Sequence, residues 1–336
     1  MEEAAAVQAE CLLLEAAGTE AVSRGDMKTG NELLGRVSAL EDKGRRALRV
    51  RICYLLSQLA VYRQDPDLAE HYVSAGMRSL PGSGDALRNA AFQRLRGCCF
   101  SLRQSYDKAA YYNMEAVDLL EKQPGSTEVR LQLAAAYADL ARVFRYRNGY
   151  AEASAFFKKA LSLAEGENWP GLTWVYVHYA RTVFALEDHR KARDLFRTAM
   201  EISEKNGELP GRGAAAAYLA YYAAEDRDHA AAADYLSEAE SCCGRMGSPL
   251  EQGILCFVSM TLKQKAELEG EKRSGTALLL KEAPEEYARE GLRHFAGIPG
   301  VFEADLIRRA LRQDLSGKTS FRANELYSKT KHFMTE

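Results

Sequence analysis

Apolar residues recur at i, i+3, i+4 and i+7 through almost the whole chain, the spacing that lines one face of a helix. Segment 131–165 shows the unit. Tyr137, Leu140, Ala141 and Phe144 form one stripe, "RNGY" breaks the helix at Gly149, and Tyr150, Ala153, Phe157 and Ala160 form a second stripe. That is a helical hairpin with a turn of a few residues. No alternating pattern of strand length appears, so the expected class is all-α.

The hairpin repeats. Ala69/Gly76, Ala109/Ala116, Ala153/Ala160, Ala192/Ala199 and Ala232/Ala239 are pairs seven residues apart, and both ladders step by 40, 44, 39 and 40, with a weaker copy at Gly30/Val37. A fixed period of this size marks a repeat architecture. Other registers keep the same step: Gly18, Ser57, Gly97, Ala141, Ala180 and Ala220 on the first helices, and a ring residue after each turn at Tyr106, Tyr150, His189 and His229. Four residues past the first ladder position stand Leu34, Val73, Asn113, Phe157, Phe196 and Leu236, of which Asn113 alone is polar. Helices approach within about 8–10 Å where side chains at the crossing are small. Pro81, Pro124, Pro170, Pro210 and Pro249 follow the ladder pairs and mark the loops between hairpins. The expected units are about 5–40, 45–80, 86–123, 128–166, 171–206 and 212–246, an array over 1–248.

Beyond 248 the period stops. A helix over 250–269, a second from Pro284 to about Phe295 and a third over 301–315 read as a C-terminal helical cap over 249–315, which covers the array's last apolar face. Continuing the ladder by 40 reaches Lys272, in an expected loop, and 316–336 reads as a polar basic tail. Residues 1–10 enter a helix without an N-cap, as the start of a shortened chain would.

Over about 1–245 the chain resembles the tetratricopeptide repeat proteins, most closely in the unit from Tyr137 to Ala160 closed by Pro170. The resemblance implies a right-handed superhelix of about six helix-turn-helix repeats, with the first helix of each hairpin lining a concave face. The usual period is 34, whereas here it is 39–44. A period near 40 is similar to the sensor arrays of bacterial regulators, either the MalT-type ATPase regulators or the peptide-pheromone receptors. On the implied concave face stand Arg51, Tyr54, Gln58, Tyr62, Arg94, Cys98, Arg142, Arg145, Tyr146, Trp174, Arg181, Phe184 and Tyr221. Arginine holds carboxylates bidentately, and both arginine and aromatic residues are enriched at interface hot spots. The resulting expectation is a non-enzymatic scaffold or adaptor whose groove takes a peptide or protein segment, acidic segments included. The competing reading pairs these arginines with acidic neighbours such as Asp139, or leaves them solvated. The lysine and asparagine pattern of chaperone-binding members is absent. The alternative function is the ligand- or peptide-sensing array of a bacterial transcriptional regulator whose DNA-binding module lies outside this chain.

Composition narrows the classes further. A chain of 336 residues exceeds what one hydrophobic core fills, so it is an elongated array or more than one unit. A formal net charge of −2 with 27% charged residues excludes a generally basic nucleic-acid binder, and no apolar run is long enough to span a bilayer. Seven cysteines, odd in number and without CxxC spacing, read as free thiols in a cytoplasmic protein. No nucleotide, zinc or nucleophile motif occurs, so no catalytic residue, cofactor or metal is expected. His178, His189 and His229 fall in packing registers. The basic end (Arg308, Arg309, Arg312, Lys318, Arg322, Lys329, Lys331) reads as a solvated face, or as a junction to a further module.

The ladder makes a direct prediction. Ala153→Leu should overpack the helix crossing and cost about 1–3 kcal/mol, read as a lowered thermal midpoint; an unchanged midpoint would refute the register.

Overall fold

The computed structural model describes residues 16–18, 20, 26–38, 43–80, 85–167, 169, 171–268, 280–298 and 300–315. Among them every regular element is helical. Fourteen helices have assigned bounds: α1 Met27–Ser38, α2 Lys43–Tyr62, α3 Pro66–Arg78, α4 Ala86–Leu102, α5 Tyr106–Glu121, α6 Thr127–Tyr146, α7 Tyr150–Leu163, α8 Leu172–Ala185, α9 His189–Asn206, α10 Arg212–Glu225, α11 His229–Met246, α12 Pro249–Leu268, α13 Pro284–His294 and α14 Phe302–Leu315. The chain divides into two compact units, Met1–Val175 with Lys205–Pro210, and Tyr176–Glu204 with Gly211–Glu336.

The ladder positions are the crossing points of the hairpins. Ala69, Ala109, Ala116, Ala153, Ala160, Ala192, Ala199, Ala232 and Ala239 are all fully buried, and so is the large apolar register at Val73, Phe157, Phe196 and Leu236. Asn113, the polar exception, is equally buried. Its Nδ2 donates to the Ala109 carbonyl at 2.9 Å, and it lies over Gly97, where an added Cβ would meet that nitrogen at 2.6 Å. A glycine of the first-helix ladder therefore faces the one polar plug, so the two departures compensate each other.

Five turns inside the hairpins share one geometry. Gln64, Gln104, Asn148, Glu187 and Arg227 are left-handed, with φ between 60° and 63°. In the first, Gln64 N–H donates to the Val61 carbonyl at 3.0 Å and Asp65 N–H to the Ala60 carbonyl at 2.9 Å, a Schellman closure. The residue after the left-handed one then starts the next helix. Asp65, Asp188 and Asp228 accept from the backbone N–H groups of Leu68, Lys191 and Ala231, satisfying donors that a helix start leaves open. The break at "RNGY" differs from expectation in one respect. The left-handed residue is Asn148, and Gly149 has φ −78° and precedes α7 as its N-cap. Asparagine tolerates the left-handed region better than most side chains, so glycine is not required there.

The ring register after each turn sits at the first residue of α5, α7, α9 and α11. Tyr106 stacks on Tyr146 at the end of α6 at 6.2 Å, while His189 meets Phe184 at the end of the preceding helix, α8, edge-on at 5.1 Å. Beyond the hairpins, α12, α13 and α14 follow the expected bounds within a residue or two. An added Cβ at Gly253 of α12 would lie 2.3 Å from Phe295, which shows how closely the ring after α13 seats on that helix. The positions Pro81, Pro170, Lys272 and 316–336 lie outside the described residues.

Left-handed backbone at a residue with a Cβ costs about 1–2 kcal/mol, and glycine removes most of that at some cost in chain entropy. Gln104 is exposed, so Gln104→Gly should raise stability by about 0.5–1 kcal/mol. A urea midpoint that moves up with an unchanged slope confirms it; a lower midpoint refutes the strain.

Candidate functional site

In the first unit, three successive first helices, α2, α4 and α6, enclose a cleft of about 240 Å³. Its apolar wall includes Leu48, Val50, Leu87, Ala91 and Phe92; its polar groups are Arg51, Tyr54, Arg88, Glu128 and Gln132. They converge because helical positions i, i+3, i+4 and i+7 share a face, and each hairpin contributes its first helix to the same side. Arg88 is tied to Asp85 at 2.8 Å. Tyr54 packs edge-on to Phe92 at 6.1 Å, and its hydroxyl accepts from Gln58 Nε2 at 3.1 Å and from Arg94 Nη2 at 3.0 Å. With both acceptor positions used, the phenolic proton is left to be donated.

Behind Tyr54 lies a buried charge cluster. Asp139 of α6 accepts from Arg94 Nη1 at 2.5 Å and from Arg142 Nη1 at 2.9 Å. Arg145, one turn on, is buried with its guanidinium over the Tyr146 ring at 4.9 Å. The pairing with Asp139, one of the two readings of the sequence, is therefore present for Arg94 and Arg142. Tyr62, at the end of α2, meets Trp174 at 5.2 Å, ring edge to face.

The second unit treats its first-helix face differently. Arg181 of α8 donates through Nε and Nη2 to the two carboxylate oxygens of Glu303 at 2.6 and 2.7 Å, and Tyr218 of α10 donates to the same carboxylate at 2.7 Å. Arg181 and Glu303 are both fully excluded from solvent. Phe184 is buried among Tyr218, Tyr221 and Phe302, with ring centroids 5.0–6.0 Å away. Arg181, Phe184 and Tyr221, expected to face a partner, are buried, and Arg181 and Phe184 pack against residues of the chain's own α14. Burial among Phe184 and Tyr222 lowers the pKa of His189, so the imidazole stays neutral as a packing ring. Glu303, 122 residues from Arg181, was not singled out in the sequence; its one local cue is its place in the first turn of α14.

Of the basic end, Arg308 pairs with Asp305 at 2.7 Å and Arg309 and Arg312 are solvent-facing, while Lys318, Arg322, Lys329 and Lys331 lie outside the described residues. Cys53, Cys98, Cys99, Cys242, Cys243 and Cys256 are free, and Cys11 lies outside the described residues. Burial pushes the Cys53 thiol up to about 11 and those of Cys99, Cys242 and Cys256 to about 12, far from a reactive thiolate. Among the described residues no group of three metal-ligating side chains converges, and no helix is long and apolar enough to cross a membrane.

No protein-family model and no curated protein matches the chain. Solved structures do. A Rap protein complexed with competence and sporulation factor shares 14% identity over 88% of this chain and 82% of that one, with a TM-score of 0.54. The Rap conjugation gene regulator of the plasmid pLS20, in complex with the Phr* peptide, shares 12% over 91% and 95%, at 0.53. Aspartyl phosphate phosphatase F from Bacillus subtilis shares 12% over 93% and 96%, at 0.51. The fold is a tetratricopeptide-like helical repeat. At 12–14% identity the likeness is one of fold, and the repeat's binding chemistry has to be read from its own residues.

The pair that ties α14 to α8 within the second unit is open to test. Removing one partner of a buried ion pair leaves an uncompensated charge, so Glu303→Ala should cost about 3–5 kcal/mol, whereas Arg181→Met with Glu303→Leu should recover most of it. Urea unfolding of the three chains decides; a loss under about 1 kcal/mol for Glu303→Ala would mean the pair contributes little.

Proposed function

We propose that this chain is a non-catalytic receptor for a peptide or protein segment, held on the first-helix face of its first unit. The observation that carries the reading is the cleft between α2, α4 and α6. It is concave and sets apolar side chains beside polar groups at fixed places, as ligand sites do. At about 240 Å³ it holds a few side chains of a longer segment better than a large compact ligand. Leu48, Leu87 and Phe92 offer an apolar seat, while Arg51, Gln132 and the Tyr54 hydroxyl offer polar contacts to a backbone or side chain. The cleft is lined by no histidine or cysteine and by a single carboxylate, Glu128, so it lacks the paired groups of acid–base or nucleophilic catalysis.

The fold neighbours that hold a sporulation factor and the Phr* peptide support a peptide as the ligand class. One of them is a conjugation gene regulator, which favours a second reading: a ligand-sensing array that passes peptide binding to a regulatory output. Free buried thiols suit the reducing cytoplasm.

Peptides selected by display on the full chain test this. Arg51→Glu and Leu87→Asp should each weaken a selected peptide about tenfold or more, while Lys158→Glu, exposed on α7, should not. Fluorescence anisotropy reads the affinities, and equal retention by all three variants would overturn the cleft.

A further inference from the structure

Arg142 and Arg181 occupy one register, 39 residues apart, each following a small ladder residue, Ala141 and Ala180. Arg181 shows what that register holds once an acidic group reaches it: a carboxylate taken bidentately, with a tyrosine hydroxyl on the same group. There the carboxylate sits directly on the guanidinium.

At Arg142 the charges do not balance. Asp139 is shared, one oxygen to Arg142 and the other to Arg94, so two guanidinium groups meet one carboxylate. The other partner of Arg94 is the neutral Tyr54 hydroxyl. Cys98, beside all three charged groups, is held as a thiol by burial and adds no negative charge. The Nε atoms of Arg94 and Arg142 have no hydrogen-bond partner among the described residues. The two side chains keep 8% and 11% of their surface exposed, while their unpartnered Nε atoms are themselves buried, so the cluster is nearly closed. A buried cation without a counter-charge is costly, and an arriving anion offsets that cost. The rigid guanidinium fork favours a planar carboxylate.

We propose that Arg94 and Arg142 form a carboxylate seat on the first-helix face. It takes an acidic group of the bound segment, either a side chain or that segment's C-terminal carboxylate. The seat deepens the peptide-receptor reading and rests on it. Tyr54 joins the two, since it lines the cleft and its hydroxyl accepts from Arg94.

The test uses the full chain labelled with nitrogen-15 in arginine, with Nε–H signals assigned through Arg94→Lys, Arg142→Lys and Arg181→Lys. Sodium acetate should move the Arg94 and Arg142 signals saturably, acetamide should not, and Arg181, already engaged by Glu303, should stay in place. In parallel, random heptapeptide pools containing Glu are compared with pools carrying Gln instead, each with a free or an amidated C terminus. The pool that supplies the carboxylate should bind about tenfold tighter than its neutral counterpart. Arg142→Lys, which keeps the charge and loses the fork, should erase most of that preference. Unmoved Arg94 and Arg142 signals, or equal movement of Arg181, would overturn the seat. Peptides that bind equally with and without a carboxylate would overturn the seat and leave the peptide reading standing. Acetate binding without any peptide binding would keep the seat and overturn the peptide reading.

Discussion

Close approach of helices at alanine is the constraint on which the rest of this structure depends. Nine ladder alanines, all on the second helices of the hairpins, are wholly buried. A larger side chain at such a point separates the helices, because a packed interior has no spare volume. Asn113 over Gly97 follows the same rule: where the filling residue is polar and awkward, the residue beneath it has shrunk to hydrogen. In the first unit the first helices of three successive hairpins, α2, α4 and α6, line one cleft.

The turns solve a second problem with little material. One left-handed residue closes the first helix, and the next residue opens the second, so two sets of orphan backbone groups are satisfied within a few positions. None of the five left-handed residues is glycine. The strain recurs at a 39–44-residue step, which makes the turn a repeated element of the fold rather than a local accident.

Arginine on the first-helix face meets different fates in the two units. In the second, a carboxylate from α14 neutralises Arg181 and excludes water from it. In the first, Arg94 and Arg142 divide one aspartate, beside a cleft that remains open. A buried ion pair is weak evidence for stability, since desolvation offsets much of the attraction. An unbalanced one is a different matter, because the excess charge gives the face a preference among ligands.

The sequence by itself determined the helical class, the hairpin period, the small buried ladder residues and the bounds of the three C-terminal helices. These depend on local periodicity, on small side chains at fixed steps and on proline and glycine, all readable within one repeat. It also placed Arg51 and Tyr54 on a face that proves to line a cleft, and it named Asp139 as a partner for the arginines. Tertiary structure decided which members of that face remain open. Arg181, Phe184 and Tyr221 look like their counterparts in the other repeats, and the return of α14 places Glu303 and Phe302 against the first two. The left-handed residue at Asn148 rather than Gly149 was likewise set by which carbonyl the turn has to satisfy. Local pattern carries no information about a contact 122 residues away, because such a contact follows from where the chain is led and not from what stands beside it.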